Sequence, residues 1–348
     1  MQILLEGGSS VDIPDITGQT IVHFAAAENM PSQILIPLLR KCNTNELSVA
    51  AVHDLMATDC LDVELLVAVC RSDVDLLSSR ETNVTAMHRM VGKCRPTDAR
   101  LVHTLASERS RDFDTIKDDL LFHACVHGSK ETLQALLQLG ASVAVRGNEF
   151  ELPSLLLAAS SATDEEAVEK VNVLVANGAD LHMTSSNGQN LCHIAAILCH
   201  SKLLELAIAA RVDHTYRDKE GSTPLHYACA APGNGAVISL LIDAGLDVNE
   251  LNSDGLTPLN LSIRSQNVDN ISSLIKATVD ITMSGLEDCQ FHDLTILAQP
   301  EVIRASPKPL EYALILSSFY ECMAKGQRRS KESYMSLSVE TCTTWKYH

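Results

Sequence analysis

The feature that most constrains this sequence is a regular spacing of histidines. Six of its thirteen histidines share one register, and two further positions of that register hold Leu156 and Asn260. The positions are separated by steps of 30, 35, 35, 33, 37, 33 and 34 residues, at His23, His53, His88, His123, Leu156, His193, His226 and Asn260. A period of about 33 residues predicts a stack of small similar units, in which most of these histidines have structural roles.

The clearest units lie between residues 186 and 284. Each opens with a glycine, at Gly188, Gly221 or Gly255, and two contain the string TPL, at residues 223–225 and 257–259. The strings STPLHYACA and LLIDAGLDVN closely resemble the repeat of the ankyrin family. That resemblance implies an all-α ankyrin-repeat solenoid, made of stacked helix-turn-helix units with β-hairpin-like turns. A helical tail is expected at the C-terminus.

The chemistry of such a unit can be predicted from its residues. A turn glycine supplies a positive φ, a threonine caps the first helix, and a proline at the first helical position loses no hydrogen bond. In the family, the register histidine bonds to the backbone and to the neighbouring threonine. The structural repeat positions are therefore His23, His88, His123, His193, Gly221, Thr223, Pro224, His226, Gly255, Thr257 and Pro258.

The repeat pattern predicts the organisation of the chain. Residues 1–284 are expected to form a half repeat followed by about eight repeats, of which residues 45–80 and 148–185 are degenerate or carry an insertion. The extra residues near 160–166 predict an exposed acidic loop or a helix extension. Residues 285–306 read as a degenerate cap or linker, and residues 307–348 as a helical, partly disordered tail. Residues 1–15 resemble the second half of a unit, so either the first half is missing from this sequence or the protein starts with an exposed helix; we expect the first, a sequence that is part of a longer protein.

Composition narrows the classes of partner. The net charge of -17 disfavours direct binding to nucleic acid. The eleven cysteines show no disulfide framework, and no secretory signal or apolar run of membrane-spanning length is apparent. These features predict that the chain has no membrane span. They also predict that it is located in the cytoplasm or in the nucleus.

No catalytic motif stands out in the sequence. Cys192–His193 and Cys199–His200 resemble a zinc pattern, but structural zinc sites normally use two closely spaced pairs, and His193 already belongs to the repeat register. Convergence of a base, a nucleophile and an orienting group is also uncommon in a linear stack. We therefore predict no enzyme activity, no cofactor and no metal.

The resemblance implies that the chain binds other proteins, whose identity the sequence does not give. The expected surface is the concave side, formed by turn tips and first helices, with Tyr227 on the exposed side of a first helix. Tyrosine is a frequent contributor to binding energy at interfaces. The candidate contact residues are Asn187, Gln189, Lys219, Glu220, Tyr227, Asn252, Ser253 and Asp254.

The C-terminal tail leaves two alternatives open. Residues 309–338 are faintly similar to the helical linker after the ankyrin repeats of TRP channels of the C subfamily, which implies the cytosolic region of a channel-like membrane protein. Ser336, Leu337 and Cys342 resemble the box by which ankyrin proteins serve as substrate receptors of cullin ubiquitin ligases, although the spacing differs by one residue.

Overall fold

The computed structural model describes residues 11–16, 19–42, 49–59, 61–72, 74–78, 84–93, 99–144, 152–277 and 295–305. These residues form helices joined by turns, with no strand beyond single-residue bridges. The chain divides into two compact units, Met1–Ala162 with Glu169–Asp180, and Thr163–Val168 with Leu181–His348. Across the described ranges no helix is long and apolar enough to cross a membrane.

The first unit is built from short helices in two stacked rows. Helices α1, α3, α5, α7 and α9 follow one another in one row, and α2, α4, α6 and α8 in the other. Each row buries leucine, valine, alanine and methionine side chains between successive helices. The helices are α1 (Ile21–Ala27), α2 (Ser32–Lys41), α3 (Val49–Met56), α4 (Val63–Arg71), α5 (Ala86–Lys93), α6 (Ala99–Glu108), α7 (Ser110–His127), α8 (Lys130–Gln138) and α9 (Ser154–Ala159).

Helix α7 departs from the predicted repeat. The unit containing His123 was expected to start its first helix just before that histidine, but α7 begins at Ser110. The reason is that Leu120 occupies the position where other units have a capping threonine or asparagine, so nothing in the side chains stops the helix there. The chain instead bends at Arg109, whose guanidinium donates to the carbonyl oxygens of Cys70 (2.7 Å) and Ser72 (2.6 Å) at the end of α4.

Helix α10 (Asp164–Ala176) begins within the stretch of residues 160–166, where the sequence predicted an insertion. The Asp164 carboxylate accepts hydrogen bonds from the backbone amides of Lys202 (2.7 Å) and Leu203 (3.0 Å). It therefore caps the following second helix, whose own N-cap residue, His200, makes no such bond.

The second unit contains the most regular helix pairs. Helices α11, α13 and α15 stack as first helices, and α12, α14 and α16 as second helices, with α17 packed against α16. The second helices bury apolar residues at spacings of one and four, such as Val237, Ile238 and Leu241. The helices are α11 (Leu191–Ile197), α12 (Ser201–Ala209), α13 (Pro224–Ala230), α14 (Gly235–Asp243), α15 (Pro258–Arg264), α16 (Val268–Lys276) and α17 (Pro300–Ala305).

Residues 295–305 belong to the segment that the sequence predicted to be a cap or linker. A 3₁₀ turn at Thr295–Ala298 precedes α17, and the side chains of Ile296, Leu297 and Val302 are buried. The expected tail of residues 307–348 lies outside the described residues, as do the segments that suggested a channel linker and a ubiquitin-ligase box.

Candidate functional site

Three turn tips in the second unit share one geometry. They span residues 185–189, 218–222 and 252–256, and each is closed by a backbone hydrogen bond from its first residue to the carbonyl of its fifth, at 2.8 to 3.0 Å. The glycine at the fourth position has a positive φ, of 82° at Gly188, 69° at Gly221 and 74° at Gly255. Glycine adopts this left-handed conformation without steric cost, so the sequence selects this tip.

Successive tips are joined through their backbones. The amide of Lys219 donates to the carbonyl of Asn187 at 3.0 Å, and the amide of Ser253 donates to the carbonyl of Glu220 at 2.9 Å. We call residues 185–189, 218–222 and 252–256 the tip row. Since backbone atoms make the joints, the exposed side chains of the tip row are held on a defined support and remain free to vary.

The tip row lies against first helices whose starts are closed by a side chain three residues into the helix, which bonds back to the N-cap residue. We call this arrangement the lock. At α13, the backbone amide of Thr223 donates to Nδ1 of His226 at 3.1 Å, while the Thr223 hydroxyl lies 2.9 Å from the same nitrogen. Nε2 of His226 lies 3.1 Å from the carbonyl oxygen of Glu250 and 3.2 Å from that of Leu256. One imidazole thus closes its own helix start and reaches the next tip.

The same lock recurs elsewhere with variations. Nδ1 accepts from the amide three residues earlier in His23, His88 and His193, and Nε2 of His193 lies 3.2 Å from the carbonyl of Ser222. At α15 the Asn260 side-chain oxygen replaces the imidazole nitrogen, accepting from the Thr257 amide at 2.8 Å. Burial lowers the pKa of His193 and His226 below the usual value, so the neutral ring is favoured.

Two register histidines lie outside this pattern. His53 has no threonine or asparagine three residues earlier, and its Nε2 lies 3.1 Å from the Ser78 carbonyl while its buried Nδ1 has no partner among the described residues. His123 lies within α7 and contacts the rings of His88 and His127. This histidine therefore does not lie at a helix start, where the sequence pattern had placed it.

The candidate contact residues fall into two groups that differ in the exposure of their side chains. Tip side chains that are exposed are those of Asn187, Lys219, Glu220, Ser253 and Asp254. The second group is half-buried, and each of its side chains makes internal hydrogen bonds; its members are Gln189, Tyr227 and Asn252. The exposed group is accessible to a partner without rearrangement, whereas the second group supports the tips.

Tyr227 is less available than the sequence suggested. Its hydroxyl donates to the Asp218 carboxylate at 2.6 Å and accepts from the Gln189 amide at 3.0 Å. Burial raises the pKa of Tyr227 to about 12, and the bond to Asp218 acts in the same direction. The phenol therefore links two tips, and only part of its ring faces outward.

Asp218 is a tip residue that sequence reasoning missed. Its side chain is buried, and Oδ1 accepts from the backbone amides of Glu220 (3.0 Å) and Ser222 (2.9 Å). Asn252 occupies the same position in the next tip, where its side-chain oxygen accepts from the amides of Asp254 and Leu256. The signal was present as an aspartate or asparagine three residues before Gly221 and Gly255.

An ion pair also joins neighbouring repeats at the base of the tips. The Arg217 guanidinium pairs with the carboxylate of Glu250 and donates to the carbonyl of Leu251 at 3.1 Å. Because the Arg217 side chain is about half exposed, this pair adds little to stability. It does fix the positions of a cation and an anion beside the tip row.

The candidate zinc pattern is not gathered at one point. Cys192 is buried near the start of α11 and Cys199 is exposed beyond the end of that helix, and the described residues contain no group of three or more metal-ligand side chains. Burial raises the pKa of Cys192 and Cys229 to about 12. These two thiols stay protonated near neutral pH and are poor nucleophiles and ligands there.

Comparison with known proteins agrees with this architecture. A family model described as ankyrin repeats matches three copies at residues 155–252 and 217–284. Neurogenic locus notch homolog protein 1 of Mus musculus is 29% identical over 148 residues, which is 40% of this chain and 6% of that protein. The Neurogenic locus Notch protein of Drosophila melanogaster is 31% identical over 119 residues, 34% of this chain and 4% of that protein.

A third relative covers more of the chain. The E3 ubiquitin-protein ligase KEG of Arabidopsis thaliana is 27% identical over 270 residues, which is 73% of this chain and 16% of that protein. The chain thus spans a small part of the length of the curated relatives it matches. The predicted all-α repeat fold and the resemblance to ankyrin repeats are both confirmed.

Proposed function

We propose that this chain, an ankyrin-repeat protein, is a non-catalytic adaptor that binds partner proteins through the tip row and the adjoining first helices. Ankyrin repeats are protein-interaction modules, and the matched repeats include all three tips. The observation that carries the proposal is the backbone joint between tips, at Lys219–Asn187 and Ser253–Glu220. A support made of backbone bonds tolerates changes of the side chains that a partner contacts.

The exposed tip residues give the proposed surface its chemistry. Asn187 and Ser253 offer uncharged hydrogen-bonding groups, Lys219 a cation, and Glu220 and Asp254 carboxylates. A mixed surface of this kind selects partners by the arrangement of charge and hydrogen bonds more than by a single apolar anchor. Tyr227 contributes the exposed part of its ring at the edge of the surface, with its hydroxyl already used internally.

The chemistry of the buried groups supports the absence of catalysis in the proposal. The imidazoles of His193 and His226 are held in helix-start locks, and the most buried thiols stay protonated near neutral pH. A general base or nucleophile needs access to a substrate and a suitable protonation state. The proposed function therefore assigns these groups to the fold.

A matched pair of charge reversals tests the proposed surface. Glu220→Lys changes an exposed tip, and Glu205→Lys makes the same change on the exposed side of α12. Each variant of the full chain is used as bait in quantitative affinity capture with mass spectrometry. The proposal expects specific partners to be reduced several-fold by Glu220→Lys and retained by Glu205→Lys. Equal retention by both variants, or selective loss with Glu205→Lys, contradicts it.

A second candidate function is substrate recognition for a ubiquitin ligase. It is favoured by the similarity to the E3 ubiquitin-protein ligase KEG, which extends over 73% of this chain. On this proposal the partners captured by the tip row are ubiquitinated when a ligase is bound elsewhere on the protein. Co-purification of ligase subunits with residues 1–348, and their loss with residues 1–299, supports this candidate and its box in the tail. A capture without any ligase subunit removes it.

The channel-fragment alternative has a separate requirement. It needs membrane spans encoded downstream of residue 348, which a verified full-length transcript either contains or lacks.

Cytoplasmic or nuclear location remains part of the proposal, and fluorescence microscopy of the tagged full-length protein tests it.

A further inference from the structure

Three imidazoles lie together in the first unit. The ring centroids of His88 on α5 and His123 on α7 are 5.4 Å apart and nearly perpendicular, and those of His123 and His127 are 4.8 Å apart. Gly92 on α5 permits this approach, since a Cβ at that position would lie 2.9 Å from Nε2 of His123. His88 and His123 therefore occupy the packing contact between α5 and α7, with the exposed His127 at its edge.

His88 and His123 lack the hydrogen-bond acceptors that would accommodate an added proton. Within the described residues no hydrogen bond is made by the ring of His123. Nδ1 of His88 already accepts the backbone amide of Thr85 at 3.1 Å, so a proton placed there would face an N–H group and break the start of α5. A charge on any one ring also raises the cost of charging the next, because like charges repel in a partly desolvated contact.

The surrounding charged groups do not offset this cost for His123. Burial and the two neighbouring histidines lower the pKa of His123 to about 4. Among the elements packed on α5 and α7, His53 of α3 acts against a charge on His88, and Asp119 of α7 favours one. Helix α6 carries exposed Arg100 and His103, α8 carries Lys130 and Glu131, and α9 has no titratable side chain, at Ser154–Ala159.

The histidines of the second unit share the Nδ1 bond of His88 but have further acceptors and carboxylates around them. Nε2 of His193 and of His226 faces backbone carbonyl oxygens, and carboxylates stand nearby, from Asp213 and Asp218 around His193 and from Glu250 around His226. These acceptors and charges partly stabilise an imidazolium, and so oppose the effect of burial. The two units therefore differ in how their buried histidines respond to acid.

We propose that the imidazole cluster of His88, His123 and His127 is an acid-sensitive joint, at which mildly acidic pH loosens α5 from α7 to a greater degree than it loosens the helix pairs of the second unit. The joint is distinct from the tip row, and its action does not depend on the proposed binding function. Local opening of this kind appears as a loss of amide protection confined to the helices that separate.

Hydrogen exchange with mass spectrometry on the full chain tests the proposal. Labelling is compared at pH 7.5 and pH 5, with times adjusted for the intrinsic exchange rate. Protection in α5 and α7 is expected to fall at least about tenfold more than in α11, α13 and α15, which corresponds to one unit of pKa difference. A parallel fall in all five helices overturns the proposal.

Two variants separate the cluster from general acid effects. His123→Gln keeps a polar side chain that does not titrate, and it is expected to remove most of the excess loss in α5 and α7. His103→Gln makes the same change at an exposed position of α6 and is expected to leave the excess loss unchanged. An unchanged loss in His123→Gln, or an equal reduction in His103→Gln, contradicts the assignment to the cluster.

A measurement on the unmodified protein covers the case in which His123→Gln does not fold. The ring resonance of His123, assigned by NMR, is followed from pH 7.5 to pH 4. The proposal expects the ring to stay neutral until the pH falls well below 6.5, the usual value for histidine, and protection in α5 and α7 to be lost as it titrates. A midpoint at or above the usual value overturns the proposal.

Discussion

The backbone amide of Thr223 donates to Nδ1 of His226 at 3.1 Å, which fixes the proton of the neutral imidazole on Nε2. Nε2 then donates towards the carbonyl oxygens of Glu250 and Leu256 in the next repeat. The histidine register of the sequence is thus explained by one side chain that closes a helix start and holds the following tip. Its repetition gives the second unit its regularity.

The main effect of replacing the His226 ring should be a loss of folding stability. In His226→Ala, the Thr223 amide and two carbonyl oxygens lose their partner, and we expect a loss of about 2–4 kcal/mol from unsatisfied buried groups and lost packing. The urea midpoint measured by circular dichroism reports the change. The exposed His103→Ala serves as the control and should lie within about 0.5 kcal/mol of the unmodified protein. Similar midpoints for both variants contradict the lock.

Two glycine variants separate conformational strain from steric contact in the tip row. Gly221→Ala and Gly255→Ala both place a Cβ at a positive φ, but only at Gly221 would that atom meet Ser253, 2.7 Å from Oγ and 3.0 Å from the backbone nitrogen. We expect Gly255→Ala to cost about 1 kcal/mol and Gly221→Ala more, because it also disturbs the Ser253–Glu220 joint. The difference is measured by thermal unfolding, and a larger loss in Gly255→Ala refutes the steric account.

The Tyr227 phenol should titrate unusually late. Burial and the hydrogen bond to Asp218 raise its pKa to about 12, so its ionisation is expected roughly two pH units above that of an ordinary tyrosine. Ultraviolet difference spectra of the unmodified protein and Tyr227→Phe isolate this one group. Tyr227→Phe should also lose about 1–2 kcal/mol of stability, since the Asp218 carboxylate and the Gln189 amide each lose a partner. An ordinary titration midpoint contradicts the network.

Acidification below about pH 6.5 should lower the folding stability of the repeats whose helix starts carry a locked histidine. Burial lowers the pKa of His23, His193 and His226, so the folded protein prefers the neutral rings. Their contribution is complete above the unfolded-state pKa, about 6.5, and is lost as the pH falls from there through the folded-state values. Urea midpoints at pH 7.5, 6 and 5 should decline, with a smaller decline in His226→Gln. A midpoint that rises on acidification shows the sign to be wrong.

Thiol reactivity should follow burial. Cys199 is exposed, whereas Cys125, Cys192 and Cys229 are buried and burial raises the pKa of each to about 12. Iodoacetamide at pH 7.5 should therefore label Cys199 well before these three, because the thiolate is the reactive form. Peptide mass spectrometry over time measures the order. Early labelling of Cys192 or Cys229 would show that α11 or α13 opens readily.

The sequence predicted the repeats best where local chemistry and period agree. Gly221, Thr223, Pro224 and His226 each specify a turn, a cap or a lock by themselves, so the helix start at α13 could be read directly. The start of α7 could not be read in this way, because His123 keeps the register while Leu120 leaves no cap. A period alone therefore locates a repeat without fixing where its helices begin.

Long-range contacts account for most of what the sequence did not reveal. Lys170 is fully buried and its ammonium donates to the carbonyl of Cys125 at 3.1 Å, although a lysine on a helix normally faces solvent. Arg109 likewise reaches carbonyls 35 or more residues away. At the tips, the hydrogen bond from the Gln189 amide to the Tyr227 hydroxyl joins neighbouring repeats, and a reading of one repeat alone does not reveal it.

Site-specific photo-crosslinking tests the central claim, that partner proteins bind at the tip row. A photoreactive amino acid is introduced at Asn187, Lys219 or Asp254, and as a control at Glu205 on α12, in the full chain expressed in cells. The account predicts that the same partner crosslinks from at least two of the three tip positions and not from Glu205. Crosslinking of that partner from Glu205 alone, or equally from all four positions, contradicts the claim.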